Sequence, residues 1–302
     1  MDKVSAGFDQ LMRFWLDTAP ARGVVVRLEE SLTRAMQHHA YPDAVANLLR
    51  QMAGAAALLA SNLKQSAQII LQVQGTGDVP ILCVEATDAL TFRLYASVRE
   101  GATIAPDASL YSLVAPDGNG RLVLTISPTE GQIYQGIVAL NIGSVASLLE
   151  EYLSNSQQTE TRMWLRQDGD VMEALLLERL PDSNEDSTAA WNAVVAQADH
   201  AFSEHFMPFP YDDWLQFTFA EHTVRVSPAH AVRFACSCSL ERVLNALKLV
   251  GEAELLPLIA EQGKIETRCE FCGKAYEVSA VAFAELFRRN DALHPPGSRL
   301  LQ

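Results

Sequence analysis

Apolar positions recur at helical spacing between residues 42 and 64, where Val45, Leu48, Leu49, Met52, Ala56, Leu59 and Leu63 fall on one face. The spacing predicts a buried helix, with Pro42 near its start, where a missing N–H costs little. Directly afterwards the period changes to two. Ile69, Leu71 and Val73 alternate with Gln72 and Gln74, and Gly75-Thr76-Gly77 ends the run, as expected of a strand and turn. Further strands are predicted at 80–86, 90–97, 121–127, 133–140, 161–166 and 171–179. Pro116-Asp117-Gly118-Asn119-Gly120 marks a turn before Leu122, Leu124 and Ile126, and Ser144 is a candidate cap for a helix running to Leu153. No repeat of fixed period is present. Residues 1–180 therefore read as an α+β domain with antiparallel sheets and a long buried helix.

Composition narrows the class. The chain has 302 residues, 49% hydrophobic and 20% charged, which suits a folded protein of roughly two domains. A net charge of -14 repels nucleic-acid phosphates and anionic headgroups, so duplex binding and membrane attachment are disfavoured. The longest apolar stretch, Met52 to Ala60, is far shorter than the ~20 residues needed to span a bilayer. Asp2 and Asp9 stand where a secretory signal needs basic and then apolar residues, so the expected compartment is the cytoplasm, where thiols stay reduced.

Charge is unevenly spread. Between Leu180 and Val224 there are eight acids (Asp182, Glu185, Asp186, Asp199, Glu204, Asp212, Asp213 and Glu221) and no Lys or Arg. Phe202, Phe206, Phe209, Tyr211, Trp214, Phe217 and Phe219 crowd the same region. These aromatics read either as core and inter-domain contacts or as a detachable cover over an apolar binding surface. An all-acid segment repels itself, so it is expected to hold its fold by docking its apolar face. We take 181–232 as a helical, acidic and aromatic linker between the first domain and a small tail, 233–302.

Four of the five cysteines lie in that tail, as Cys236-Ser237-Cys238 and as Cys269-Glu270-Phe271-Cys272-Gly273-Lys274. In an extended segment residues i and i+2 point to one side, so Cys236 and Cys238 can face a single ion. The C-x-x-C-G-K run has the form of a zinc knuckle, with Gly273 supplying the turn's conformational freedom. Four thiolates suit tetrahedral zinc, one ion per chain, with no open position for a substrate. A disulfide scaffold is disfavoured by the compartment, and a thioredoxin-type pair by the lack of a preceding strand and following helix. His222, His230 and His294 are candidate substitutes for one ligand, each better read as a loop or surface residue. Cys83, in the apolar run Ile81-Leu82-Cys83-Val84, reads as a buried, inert thiol.

Around the cysteines, Ser239 is placed to cap a helix carrying Val243, Leu244, Leu247 and Val250. Glu252 to Gln262 reads as a second helix ending at Gly263, which Pro257 should shorten or kink. Tyr276 to Val278 suits a short strand, and Ser279 starts a helix with Val281, Phe283, Leu286 and Phe287. So small a unit is marginal alone, and zinc contributes ~10–16 kcal/mol to folding comparable peptides. Removing the metal should unfold the tail. Oxidation would do the same, because a disulfide does not hold zinc as thiolates do. If the linker packs partly on the tail, it loses support in that step.

These residues resemble a known family, the redox-regulated thirty-three-kilodalton heat-shock chaperones of bacteria. In the tail the resemblance rests on Cys236-x-Cys238, Ser239-x-Glu241-Arg242, Ala246-Leu247, Ile259-Ala260-Glu261, Gly263-x-Ile265-Glu266 and Cys269-x-x-Cys272-Gly273-x-x-Tyr276. In the first domain it rests on Tyr41-Pro42, Leu63-Lys64, Leu71-Gln72-Val73-Gln74-Gly75-x-Gly77, Thr125-Ile126-x-Pro128-x-Glu130-Gly131 and Tyr134-Gln135-Gly136. The resemblance implies an ATP-independent holdase, not an enzyme, inactive while reduced and zinc-bound. It implies disulfides Cys236 with Cys238 and Cys269 with Cys272 on oxidation, zinc release, a disordered linker, a homodimer and binding of unfolding client proteins. It assigns no client-binding residue in this chain. Near residue 174 the family tends to have a glycine pair, where this chain has Glu173-Ala174.

Other classes have weaker support. No G-x-S-x-G, P-loop, G-x-G-x-x-G or H-E-x-x-H is present, so nothing points to an enzyme. The alternative is a zinc-ribbon module for single-stranded nucleic acid or a structural interaction protein, since Arg233, Arg242, Arg268 and Lys274 flank the sulfurs.

Overall fold

The computed structural model describes residues 9–63, 66–141, 143–157, 159–181, 187–204 and 211–291. Asp182, Glu185, Asp186, Phe206, Phe209 and His294, singled out above, lie outside these residues, as does the side chain of Glu204. The chain divides into two compact units, Met1–Ala235 and Cys236–Gln302.

The first unit runs β1 (Gln10–Leu16), β2 (Ala21–Leu28), α1 (Glu30–Met36), α2 (Asp43–Ala60), β3 (Ala67–Gln74), β4 (Ile81–Thr87), β5 (Thr91–Ser97), α3 (Leu110–Val114), β6 (Arg121–Pro128) and β7 (Tyr134–Ala139). It continues with α4 (Val145–Gln157), β8 (Thr161–Asp168), β9 (Val171–Arg179), α5 (Ser187–Glu204), α6 (Tyr211–Thr218), β10 (Val224–Val226), β11 (His230–Ala231) and β12 (Arg233–Phe234). The second unit has α7 (Leu240–Val250), α8 (Glu252–Gln262), β13 (Lys264–Arg268), β14 (Ala275–Ser279) and α9 (Ala280–Asp291).

The seven strands predicted between 68 and 179 are β3 to β9, and the α+β class with antiparallel sheets is observed. One sheet has the order β10-β1-β2-β9-β8, with β11 also on β1; the other has the order β12-β5-β4-β3-β6-β7. The one parallel pairing among the described strands, β12 on β5, was not expected. Sequence reading also missed β1, β2, α1, α3, β10, β11 and β13.

Helix α2 lies between the sheets, with 14 of its 18 residues buried. Its alanines and Gly54 keep it thin. A Cβ on Gly54 would come 3.1 Å from the side chain of Met172 on β9, so the helix packs closely on that strand. The predicted cap on α4 is formed: Ser144 Oγ accepts the Ser147 N–H at 3.2 Å.

Strand β9 is buried along nearly its whole length because both its faces are covered, and its run Ala174–Leu177 is apolar throughout. Met172, Ala174 and Leu176 join the core around α2, while Leu175 and Leu177 turn the other way. On that second face they meet Met12, Phe14, Leu16 and Val25 from β1 and β2. The covering layer is the linker: Trp191, Val194, Ala198 and Phe202 from α5 and Tyr211, Trp214, Leu215 and Phe219 from α6 and its end. Thus the aromatics make a second core on the outer face of the sheet. Phe217, 83% exposed, is the exception among those described.

The linker's lack of basic residues is met by the sheet. Trp164 Nε1 donates to Asp199 at 2.8 Å, and Arg179 donates to Ser187 Oγ and Thr188 Oγ1 at the start of α5. Each contact joins the acidic segment to strand residues of the same unit.

In the second unit the core consists of Leu247, Leu255, Ile265, Val278, Phe283, Leu286 and Phe287. Helix α8 spans Glu252–Gln262 without the shortening expected from Pro257. Pro257 is exposed, so the carbonyl that loses its N–H partner is open to water, and the helix tolerates the loss. Gly263 then closes the helix in the left-handed region, at φ 71.

Candidate metal centre

The two cysteine pairs are delivered by different local structures. Cys269 and Cys272 lie in the turn of the β13–β14 hairpin, where Gly273 N–H donates to the Cys269 carbonyl at 2.8 Å and Cys269 N–H to the Lys274 carbonyl at 2.9 Å. Gly273 has φ 67, a conformation that side-chain-bearing residues rarely adopt. A strand therefore does precede this motif, contrary to the sequence reading. On its other side the chain enters a second strand, so the pair sits in a hairpin and not at a helix start, which is where a thioredoxin pair belongs.

Cys236 and Cys238 precede α7. Ser239 caps that helix as expected, its Oγ accepting the Arg242 N–H at 3.2 Å. Arg242 reaches back and donates to Ser237 Oγ at 2.8 Å, which fixes the residue between the two thiols.

All four sulfurs come together within 4.8 Å of one another. Cys236 Sγ lies 3.6 Å from Cys269 Sγ, and Cys238 Sγ lies 3.5 Å from Cys272 Sγ. Sulfurs at ~2.3 Å from a tetrahedral zinc ion are ~3.8 Å apart, so the cluster has the right size for such an ion. None of the four is in a disulfide, and all are half-buried.

Electrostatics point the same way. Burial pushes the Cys238 thiol up, but hydrogen bonding from Tyr276 and from the other three cysteines outweighs it and brings Cys238 down to about 7. Burial pushes Cys272 up to about 12, and Cys269 is raised by the same cause. One thiolate is tolerated, while a second negative charge so close is resisted. A divalent cation held by the four sulfurs would offset that penalty and stabilise the remaining thiolates. The donor set thus fits a metal ion.

The other candidates lie elsewhere. Cys83, on β4 in the first unit, is 9% exposed and pushed up to about 12 by burial, as its inert reading requires. His222 pairs through Nδ1 with Thr18 Oγ1 at 2.9 Å, and His230 lies on β11 opposite Leu11; neither joins the cluster. Among the described residues no helix is long and apolar enough to cross a membrane.

Comparison with known proteins agrees with this arrangement. The family model described as Hsp33 protein matches residues 9–279. The 33 kDa chaperonin of Methylobacillus flagellatus is 35% identical over 284 residues, covering 92% of this chain and 94% of the relative. That of Pseudomonas fluorescens SBW25 is 37% identical over 284 residues, covering 92% and 93%. The crystal structure of the 33 kDa chaperonin from Thermotoga maritima superposes with a TM-score of 0.75 at 19% identity, over 94% of this chain and 99% of that one, and so shares the fold. With a family model spanning most of its length and relatives above one-third identity, the chain belongs to the Hsp33 family.

Proposed function

We propose that this protein is an ATP-independent chaperone, a holdase, that is off while its four cysteines are reduced and zinc-bound and on after they are oxidised. The observation that carries the reading is the four-sulfur cluster, drawn from two close pairs in a unit whose described core cluster has seven buried apolar side chains. Bound zinc would supply much of that unit's folding energy, on the scale of ~10–16 kcal/mol for small zinc peptides.

Oxidation joins Cys236 to Cys238 and Cys269 to Cys272. Each pair of thiolates gives up two electrons to one peroxide and forms one S–S bond, while the peroxide O–O bond breaks and its oxygens take two protons from solvent to leave as two waters. With those thiolates gone, Cys236, Cys238, Cys269 and Cys272 would no longer hold a zinc ion, and the second unit would lose the support that the ion supplies. The linker helices are held by contacts of their own on the first unit's sheet, so mild heat is needed as well as oxidant to lift them. Their release uncovers Met12, Phe14, Leu16, Val25, Leu175 and Leu177, an apolar sheet face suited to unfolding clients. The oxidised form acts as a homodimer in the cytoplasm and catalyses no reaction.

The experiment is light scattering of a chemically unfolded client diluted into buffer without ATP. The peroxide-treated protein, warmed mildly, is expected to suppress aggregation, and the reduced zinc form is expected not to. Equal suppression by both forms, or by neither, would overturn the reading. The nucleic-acid alternative loses ground because Arg242 and Lys274 already have tasks, the first holding Ser237 and the second lying 5.2 Å from the Tyr276 ring centroid.

A further inference from the structure

Glu173 is fully buried near the start of β9, beside the apolar run Ala174–Leu177, a costly place for a carboxylate. In the strand register it stands directly opposite Arg27 on β2 and Arg166 on β8. Gln10 on β1 is opposite Arg27 in turn. A polar row therefore crosses four strands on the face that carries the linker, beside the apolar row Met12, Val25, Leu175 and Trp164.

The row grips both linker helices. Glu173 Oε2 lies 2.8 Å from Arg166 Nη2, and Glu173 Oε1 lies 3.6 Å from Arg27 Nη1. The other arm of Arg166 donates to the Phe202 carbonyl at 2.5 Å, and its guanidinium carbon lies 4.7 Å from the Phe202 ring centroid. Phe202 is in the last turn of α5, where carbonyls have no partner within the helix and the helix dipole favours a cation. At the far end of the row the Tyr211 hydroxyl, from the first residue of α6, donates to the Gln10 carbonyl at 3.3 Å.

We propose that Glu173 is the positioning residue of a latch, in which the Arg27–Glu173–Arg166 row holds Arg166 over the C-terminal turn of α5 and so sets how easily the linker leaves the sheet. This rests on the reading of the linker as the released part, and it locates where release begins. Glu173 acts on α5 through Arg166. It fixes the fork of Arg166, so that one arm is spent on the sheet and the other on the linker. Without the carboxylate, two arginines would share a poorly hydrated row, and Arg166 would turn toward water.

The test is hydrogen exchange of the full-length, reduced, zinc-loaded protein, with zinc content measured in parallel. Glu173→Gln is expected to speed exchange in the last turn of α5 by at least about tenfold, given the cost of breaking a buried pair, while β3 to β6 and the zinc content stay unchanged. In an Arg166→Met background the same substitution is expected to add little, because the effect passes through Arg166. Arg166→Lys, which keeps the charge and loses the fork, is expected to behave like Arg166→Met and serves where a Glu173 variant does not fold. Equal acceleration throughout the sheets, an undiminished Glu173→Gln effect without Arg166, or unchanged exchange in α5 would each overturn the latch. The readout needs neither oxidant nor client, so failure of the chaperone reading would leave it intact and show separately as a released linker that protects no client.

Discussion

Cys238 and Cys272, separated by 34 positions in the chain, hold their sulfurs 3.5 Å apart without a bond between them. A metal centre built this way ties the segment before α7 to the β13–β14 hairpin. Its loss is felt at both ends of the unit.

Replacing one ligand should therefore cost more than one bond. For Cys269→Ser we expect loss of tight zinc binding and of the second unit's cooperative melting, while the first unit melts as before. Cys83→Ser, at a site on β4 remote from the cluster in sequence and in unit, is expected to keep full zinc content. Metal analysis after gel filtration and a calorimetric scan check both; zinc loss in the Cys83 variant would refute the ligand assignment.

Chelation should act like oxidation on the tail alone. When a strong chelator strips the reduced protein, amides of the β13–β14 hairpin are expected to exchange at rates near those of unfolded chain. Those of α2 and β3 to β6 should stay protected, since their core contains none of the second unit's residues. Exchange with mass-spectrometric readout separates the two. A protected hairpin in the stripped protein would show that the seven-residue core suffices without metal.

The thiol at Cys83 gives a pH prediction. Its value of about 12 means that its reactive thiolate is scarce below that pH, rising tenfold per unit as pH increases. In the native protein at pH 8, iodoacetamide is expected to leave Cys83 unmodified while chelation opens the four tail cysteines to alkylation. Peptide mapping checks it, and labelling at Cys83 comparable to the tail would show the strand opening freely.

The parts of this molecule legible in sequence were those with a single period or spacing. Helix α2 and strands β3 to β9 declare themselves by periodicity, and the cysteine pairs by their spacing and by Gly273. The layer order was not legible, because an apolar run such as Leu175-Leu176-Leu177 shows that both faces of a strand are covered without saying by what. The linker's aromatics carried the missing half of that message, but matching them to β9 requires the fold. Glu173 was visible as one acid in an apolar run; its arginines, on strands far apart in sequence, were not. Pro257 leaves the length of α8 unchanged, because water replaces a hydrogen bond that propensity rules price as lost.

Linker docking is open to direct weakening. Trp191 on α5 is 1% exposed and packs in the second core with Leu175 and Phe14 among its members, so Trp191→Ala removes a large buried ring at a cost of about 3–5 kcal/mol. That cost falls on the attachment of α5 to the sheet, since Trp191 belongs to neither of the other cores. We expect limited proteolysis to cut the variant within 187–219 while it is still reduced and zinc-loaded, and a dye for apolar surfaces to bind it without peroxide. Phe217→Ser, at an exposed position on α6, is the matched control and should do neither. If Trp191→Ala remains uncut and dark while melting earlier as a whole, the second core is an inseparable part of the first unit, and the sheet face beneath it is not what clients meet.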